Sequence, residues 1–193
     1  MSREHRLGRR RMRADGERNK LRLVEAAKHR FAEQGASTAL EQIARDAGVG
    51  IGTLYRHFPT RDLLIEAVYG QEVNALVAVA SELQTNATPV QALRAWLMLF
   101  IDFIETKQEI GTVLDTLVGG SEPLYSGTPA LLSPAINLLV ERANDGGRVK
   151  IDIAPLDLLR AIVGVATIRP GAAWKQQAVA LVDLVLRGAQ RAR

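Results

Sequence analysis

Apolar residues recur along the chain at intervals of three and four positions, and apolar and polar residues do not alternate over any long stretch. This spacing places apolar side chains on one face of an α-helix, whereas a half-buried strand needs a period of two. Glycine and proline separate the apolar segments. The pattern therefore predicts an all-α fold of about nine helices, near residues 18–34, 38–47, 51–58, 61–83, 88–106, 108–118, 129–144, 155–168 and 172–188.

Two short helices are predicted directly after the first long one. Gly35 follows the first helix as a stop signal, and the apolar face of that helix is predicted to hold Leu21, Val24, Ala27 and Phe31. Thr38 and Glu41 have the spacing of a capping box, in which each side chain accepts a hydrogen bond from an otherwise unpaired amide. We therefore expect the second helix to begin with Thr38 as its N-cap.

Three glycines precede a cluster of hydrogen-bonding side chains in the stretch AGVGIGTLYRHF, residues 47–58. Gly48 is placed to adopt a left-handed backbone that ends one helix and turns the chain, and Gly50 to act as the next N-cap. Leu54 and Phe58, four residues apart, share the inner face of the following helix. The outer face then carries Gly52, Thr53, Arg56 and His57, with Tyr55 at its edge. The arrangement is typical of a helix-turn-helix, whose second helix enters the major groove of DNA.

The stretch STALEQIARDAGVGIGTLYRHFPTRDLLIEAV, residues 37–68, resembles the DNA-binding signature of the TetR family of bacterial transcriptional regulators. The resemblance implies a homodimer of all-helical subunits. Each subunit would have a three-helix DNA-binding domain, here residues 18–64, and a larger helical domain, here residues 65–193, that binds a small molecule and dimerises.

The same resemblance implies roles for individual residues. Thr38 matches a phosphate contact at the start of the second helix, and Arg61 matches the basic residue that opens the fourth. Tyr55 and His57 match positions that contact the DNA backbone, and the positions that face bases are Ile51, Gly52, Thr53 and Arg56. Many family members have serine where this chain has Gly50, and a polar residue where it has Ile51. Apolar contact at Ile51 would discriminate bases less than a bidentate hydrogen bond.

Side-chain chemistry agrees with these roles but leaves two alternatives open. An arginine at position 56 can bind guanine O6 and N7 together, or it can bind phosphate instead. Tyr55 can donate to a phosphate oxygen, or its ring can fill the interface between helices.

The positive charge of the chain is concentrated at one end. Residues 1–13 contain Glu4 and six arginines, a local charge of +5, so that residues 14–193 together carry −1. Such a segment cannot form a core, and residues 1–17 are predicted to be a disordered basic arm. The arm is either a solubilising extension or a segment that lies along phosphates or in the adjacent minor groove. The helix-turn-helix that follows favours contact with DNA.

The sequence of the remaining chain predicts helices, but few side chains with a specific chemical role. The candidate lining of an effector pocket is an apolar stripe with two possible polar contacts: Arg94, Trp96, Phe100, Phe103 and Asp115. The alternative is that the stripe forms an ordinary helical core. By resemblance, the last two helices pair with their copies in the dimer, and two recognition helices about 34 Å apart would read an inverted repeat.

Several classes of function are not expected. The chain has no cysteine, hence no disulfide, no zinc-thiolate site and no cysteine nucleophile. The GVGIG stretch lacks the strand that precedes a nucleotide-binding loop, and no nucleophile, base or metal-ligand spacing is recognisable. We therefore expect neither an enzyme nor a cofactor or metal site. No apolar run reaches the roughly 18 residues of a membrane span, so a cytoplasmic protein without membrane contact is expected.

These observations predict a DNA-binding transcriptional regulator, in particular a repressor that a small-molecule ligand releases from an inverted-repeat operator. Its partners would be double-stranded DNA, an unknown effector and a second copy of the chain. The alternative is an architectural DNA-binding protein that responds to no ligand.

Overall fold

The computed structural model describes residues 3–118, 120, 122–168, 171 and 173–190, without the side chains of residues 3–13, 36, 123 and 124. The described residues contain no strand, which confirms the predicted all-α class. They form nine α-helices and one 3₁₀ turn at Gly35–Ser37: α1 (Arg3–Gln34), α2 (Leu40–Asp46), α3 (Ile51–His57), α4 (Arg61–Asn86), α5 (Pro89–Glu109), α6 (Gly111–Leu114), α7 (Glu122–Asp145), α8 (Pro155–Ile168) and α9 (Trp174–Gly188).

The chain divides into two compact units, and the first comprises residues 1–71 and 109–121. Its core is formed by fully buried side chains of α1 to α4 and α6, among them Leu23, Phe31, Ile43, Leu54, Leu64, Val113 and Leu114. The Val118 amide donates a hydrogen bond of 2.9 Å to a carboxylate oxygen of Asp62 in the first turn of α4. The domain boundary predicted at residue 64 therefore differs from the division in the structure, because residues 109–121 pack with the helix-turn-helix.

The second unit comprises residues 72–108 and 122–193. Its apolar core includes Trp96, Leu97, Ile136, Ile162, Ala178 and Val182. Two groups of ion pairs connect α5 with α9. Arg94 binds both carboxylate oxygens of Asp183, at 2.7 and 3.2 Å. The ammonium group of Lys175 lies 2.8 Å from Asp102 and 2.6 Å from Glu105.

Among the described residues, α4 is the one helix with the length and composition of a membrane span, with a mean hydropathy of 1.3 in its most apolar window. Its apolar side chains include Leu64, Val68, Val73 and Leu76, all buried within the protein. A core helix has the same composition, so α4 alone is no basis for a membrane location.

The structure corrects the predicted start and inner face of the first helix. α1 begins at Arg3, where a disordered arm was expected up to residue 17. Residues 3–17 contain no proline and several good helix formers, so the backbone can continue the helix. Leu21 is 59% exposed, whereas Leu23 is fully buried. Two residues correspond to a rotation of about 200° around a helix, which places these two leucines on opposite sides.

Two other boundaries differ. Residues 122–128 were expected to lie in a loop, but they form the first two turns of α7, which also contains Pro129 and Pro134. Turn-forming residues are only a weak local preference, which tertiary packing overrides here by burying Thr128 and Leu132. The helix predicted at residues 108–118 is instead the end of α5 followed by the short α6.

Candidate nucleic-acid interface

The turn between α2 and α3 has the predicted geometry. Gly48 adopts a φ of +64°, the left-handed conformation that a side chain would oppose. The Val49 amide donates to the Ala44 carbonyl at 3.0 Å, which closes the end of α2. Gly50 is the N-cap of α3, and its carbonyl accepts a bond of 2.8 Å from the Thr53 amide. No side-chain hydroxyl caps α3, as expected for glycine at this position.

α3 presents a continuous outer face. Leu54 is fully buried and Phe58 is 3% exposed, so these two side chains fasten the inner face to the core of the first unit. The opposite face is accessible: Gly52, Tyr55 and Arg56 are exposed, and Ile51, Thr53 and His57 are half-buried. The prediction of two distinct faces is therefore confirmed for Leu54 and Phe58.

Tyr55 lies on the accessible side. It is 47% exposed, which argues against a ring that fills the interface between helices. His57 is half-buried, and its Cε1 atom lies 3.9 Å from the position that a Cβ on Gly16 would occupy. Residues of α1 near Gly16 thus lie beside the end of α3.

The structure corrects the predicted N-cap at Thr38. The N-cap of α2 is Ala39, without a side-chain cap, and Thr38 is only 1% exposed. The Thr38 hydroxyl lies 2.9 Å from the Gly35 carbonyl and 3.1 Å from the Arg30 carbonyl, within hydrogen-bond distance of both acceptors. The hydroxyl is buried against these two carbonyls, which argues against the predicted contact with phosphate.

Arg61 also makes an internal contact. Its guanidinium group donates a hydrogen bond to the Thr38 carbonyl. The side chain is half-buried, because it lies between the first turn of α4 and the chain that leads into α2. The same turn is capped as the sequence predicts, with the Thr60 hydroxyl 3.2 Å from the Leu63 amide.

An ion pair that the sequence analysis missed joins α1 to α2. Arg30 Nε donates to the carboxylate of Asp46, and a second guanidinium nitrogen lies 3.3 Å from Glu33. The hydrogen bond from Arg30 lowers the pKa of Asp46, and the bond to Asp46 raises the pKa of Arg30. The two residues are 16 positions apart, too far for helical periodicity to relate them, so the sequence pattern could not predict this ion pair.

The candidate effector residues make contacts within the protein. Trp96 and Phe100 stack with ring centroids 5.9 Å apart, but both are buried, and the Trp96 indole donates to the Leu76 carbonyl at 2.8 Å. Phe103 extends the stack and is also buried. Arg94 is occupied by Asp183, and the exposed Asp115 belongs to the first unit. These contacts fit a helical core, and an effector site at these residues stays a prediction.

A cleft of about 820 Å³ lies elsewhere in the second unit. It is formed by the beginning of α5, the loop that follows α7 and the end of the described chain, and it includes Thr88, Gln91, Gly146, Arg148 and Gln190. Among the residues that the structure describes, no group of three or more acidic or histidine side chains is arranged to hold a metal ion.

The comparisons with known proteins match both the helix-turn-helix and the whole fold. Residues 23–68 match the family model of bacterial regulatory proteins of the tetR family. A TetR transcriptional regulator from Streptomyces coelicolor is 38% identical, with a TM-score of 0.78 over 90% of this chain and 99% of that one. A TetR regulatory protein from Mycobacterium vanbaalenii is 28% identical, with a TM-score of 0.71 over 93% and 99% of the two chains.

Curated sequences match over a shorter region. An HTH-type transcriptional regulator from Staphylococcus aureus strain USA300 is 29% identical over 94 residues, which is 46% of this chain and 51% of that protein. The chain thus spans about half the length of the curated relatives it matches.

Proposed function

Because the chain belongs to the TetR family of bacterial transcriptional regulators, we propose that it represses transcription by binding an operator through α3, until a small molecule releases it. The family and the fold are those of transcriptional regulators rather than enzymes. A protein with this role would work in the cytoplasm, where bacterial DNA lies.

The observation that carries the proposal is the accessible outer face of α3. Arg56 and Tyr55 are exposed on a helix whose other side is fastened by the buried Leu54. A helix held in this way keeps its exposed groups in fixed positions, as reading of base edges in the major groove requires. Arg56 is the candidate base contact, and Tyr55 and His57 are candidate phosphate contacts.

The operator is proposed to be an inverted repeat bound by a homodimer. α8 and α9 bury one face each within the second unit, and they retain exposed apolar residues such as Ile168 and Leu184. A two-fold symmetric pair of subunits would place two recognition helices about one DNA turn apart. The basic residues 3–13 would add affinity that depends steeply on salt and little on sequence.

Release by a ligand is proposed to act through α4. The support for this proposal is that α4 begins in the first unit and ends in the second, so a displacement would pass along it without a break in the helix. The ligand must bind one arrangement of the protein better than the other, by a few kcal/mol for a large change in occupancy.

The test is to select bound fragments from the source genome and to align the recovered sequences. We expect an enriched inverted repeat, and Arg56→Ala should relax the preference at one position in each half-site, at a cost of roughly 1–3 kcal/mol. Arg45→Ala, which removes an exposed arginine of α2, should change the preference at no position. Recovery of DNA without any enriched site would contradict the proposal, and a uniform loss in Arg56→Ala would make Arg56 a phosphate contact.

A further inference from the structure

The chain that enters α2 is fixed by a buried polar residue. Thr38 is one of the few buried polar residues among the described positions. Its amide donates to the Gly35 carbonyl, and its hydroxyl lies within hydrogen-bond distance of the Gly35 and Arg30 carbonyls, which belong to the end of α1 and the turn that follows it. Thr38 therefore attaches the start of α2 to the end of α1.

Arg61, in the first turn of α4, also binds Thr38. Its guanidinium group donates to the Thr38 carbonyl, so that Thr38 is bonded through its hydroxyl and amide towards the end of α1 and through its carbonyl towards α4. A hydrogen bond with a charged donor is about twice as strong as a neutral one. The partners are separated by 23 residues, so the contact joins two elements that are not neighbours in sequence.

Arg30 touches both ends of α2. Its carbonyl lies 3.1 Å from the Thr38 hydroxyl before α2 begins, and its guanidinium group binds Asp46 in the last turn of α2. α2 therefore lies between two polar attachments that share one residue of α1.

These attachments matter because α2 is short. It has seven residues and no side-chain cap, and a helix of this length does not form on its own in water. Its position must come from tertiary contacts, namely the buried Ile43 and Ala44 together with the polar attachments at both ends. α3 follows α2 after a four-residue turn, so the placement of α2 also determines where α3 lies.

We propose that Thr38 and Arg61 are positioning residues for DNA recognition: with Arg30, they hold α2 against α1 and α4 and thereby set the orientation of α3, instead of contacting DNA themselves. The inference rests on the proposed function, and it assigns to both residues a role other than the phosphate contact that the family resemblance implies.

The first test measures binding of the full chain to the selected duplex over a range of salt concentrations. Arg61→Gln should weaken binding by up to about tenfold, because binding must then also restore the position of α2 and α3 that the lost hydrogen bond held. Its salt slope should be no lower than that of Arg45→Gln. Arg45→Gln is the matched control, because it removes the same charge from an exposed site in the same unit. If Arg61 contacts a phosphate, the salt slope of Arg61→Gln should instead fall by about 0.9 relative to this control, and the inference is then overturned.

The second test uses hydrogen exchange in the DNA-free protein. Thr38→Val keeps the volume of the side chain and removes its hydroxyl, and we expect faster exchange of the α2 amides in this variant and in Arg61→Gln. The α2 amides of Thr38→Ser and Arg45→Gln should exchange at the same rate as in the original chain. The α9 amides should exchange at the original rate in all four variants. Unchanged exchange of the α2 amides in Thr38→Val would overturn the inference. If Arg61→Gln also loses the protection of its α9 amides, that variant is unfolded, and the result for Thr38→Val alone then tests the inference.

The two tests separate this inference from the function on which it rests. An original chain that binds no selected duplex would contradict the proposed function, while exchange at α2 would still show whether Thr38 and Arg61 hold that helix.

Discussion

Gly52 lies on the outer face of α3, where a Cβ would meet nothing within 4 Å. Glycine inside a helix is unfavourable, because it loses more backbone freedom on folding than other residues do. Nothing inside the described chain requires glycine here, since its backbone is helical and the space beside it is open. We therefore expect the missing side chain to matter for a partner that approaches α3 from outside.

Gly52→Ala should change stability and DNA binding in opposite directions. The free energy of unfolding should rise by about 0.5–1 kcal/mol, as expected for alanine in place of a helical glycine. Affinity for the selected duplex should fall, because the added methyl group would lie between α3 and the base edges. Urea denaturation and fluorescence anisotropy measure the two quantities.

Gly70→Ala is the control for this prediction. Gly70 lies within α4, and a Cβ there also meets nothing within 4 Å. It should show a similar gain in stability with unchanged DNA binding. Equal binding by both variants would mean that Gly52 provides no clearance for DNA.

At the scale of elements, α5 and α9 are joined by charges as well as by apolar packing. Lys175 of α9 lies between Asp102 and Glu105 of α5, and hydrogen bonds to these carboxylates raise the pKa of Lys175 to about 12. A raised lysine pKa means that the folded state holds the proton more tightly than the unfolded state, in which the pKa is about 10.5. The stabilisation is then fully present below about pH 10.5, and it is lost as the pH rises through about 12.

Lys175→Gln should therefore unfold more easily than the original chain at pH 8, and the difference should disappear between about pH 10.5 and 12. The difference at pH 8 should not exceed about 1 kcal/mol, because all three side chains are about half-exposed to water. Urea denaturation followed by circular dichroism measures it at each pH. Lys150→Gln, which changes an exposed lysine paired with Asp152, is the control. If the stability difference between Lys175→Gln and the original chain does not narrow above pH 10.5, the prediction is contradicted.

At the scale of the whole molecule, the proposed dimer depends on apolar residues that one subunit leaves uncovered. Leu184 of α9 is 61% exposed although α9 is strongly amphipathic, and Ile168 at the end of α8 is 85% exposed. Burying such side chains contributes about 25 cal/mol for each Å² of apolar surface removed from water. A second copy of the chain would supply that burial along both helices.

Sedimentation at micromolar concentration should show a dimer, and Leu184→Glu should shift it towards the monomer because a carboxylate would be buried in the interface. Leu131→Glu is the control, since Leu131 is 56% exposed on α7, outside the proposed interface. The Leu184→Glu monomer should also bind an inverted repeat no better than a single half-site. A chain that sediments as a monomer without any substitution would exclude the dimer.

Features that depend on a few neighbouring residues could be predicted from the sequence. The left-handed turn at Gly48, the N-cap at Gly50, the start of α4 after Thr60 and the inner positions of Leu54 and Phe58 all follow from backbone preferences and helical periodicity. These properties are local, because each is decided within about one turn of helix.

Other features were settled by contacts between distant parts of the chain. Thr38 has the local pattern of an N-cap, yet Ala39 is the N-cap and Thr38 is buried, with its hydroxyl against the Arg30 and Gly35 carbonyls. Arg61 binds a residue 23 positions away, and Arg30 binds one 16 positions away. Helical periodicity and capping rules relate residues that are close in sequence, so they cannot predict such distant pairs. The local pattern therefore determines that a helix-turn-helix forms with an outward polar face, while the folded chain determines which polar residues remain on that face and which hold it in place.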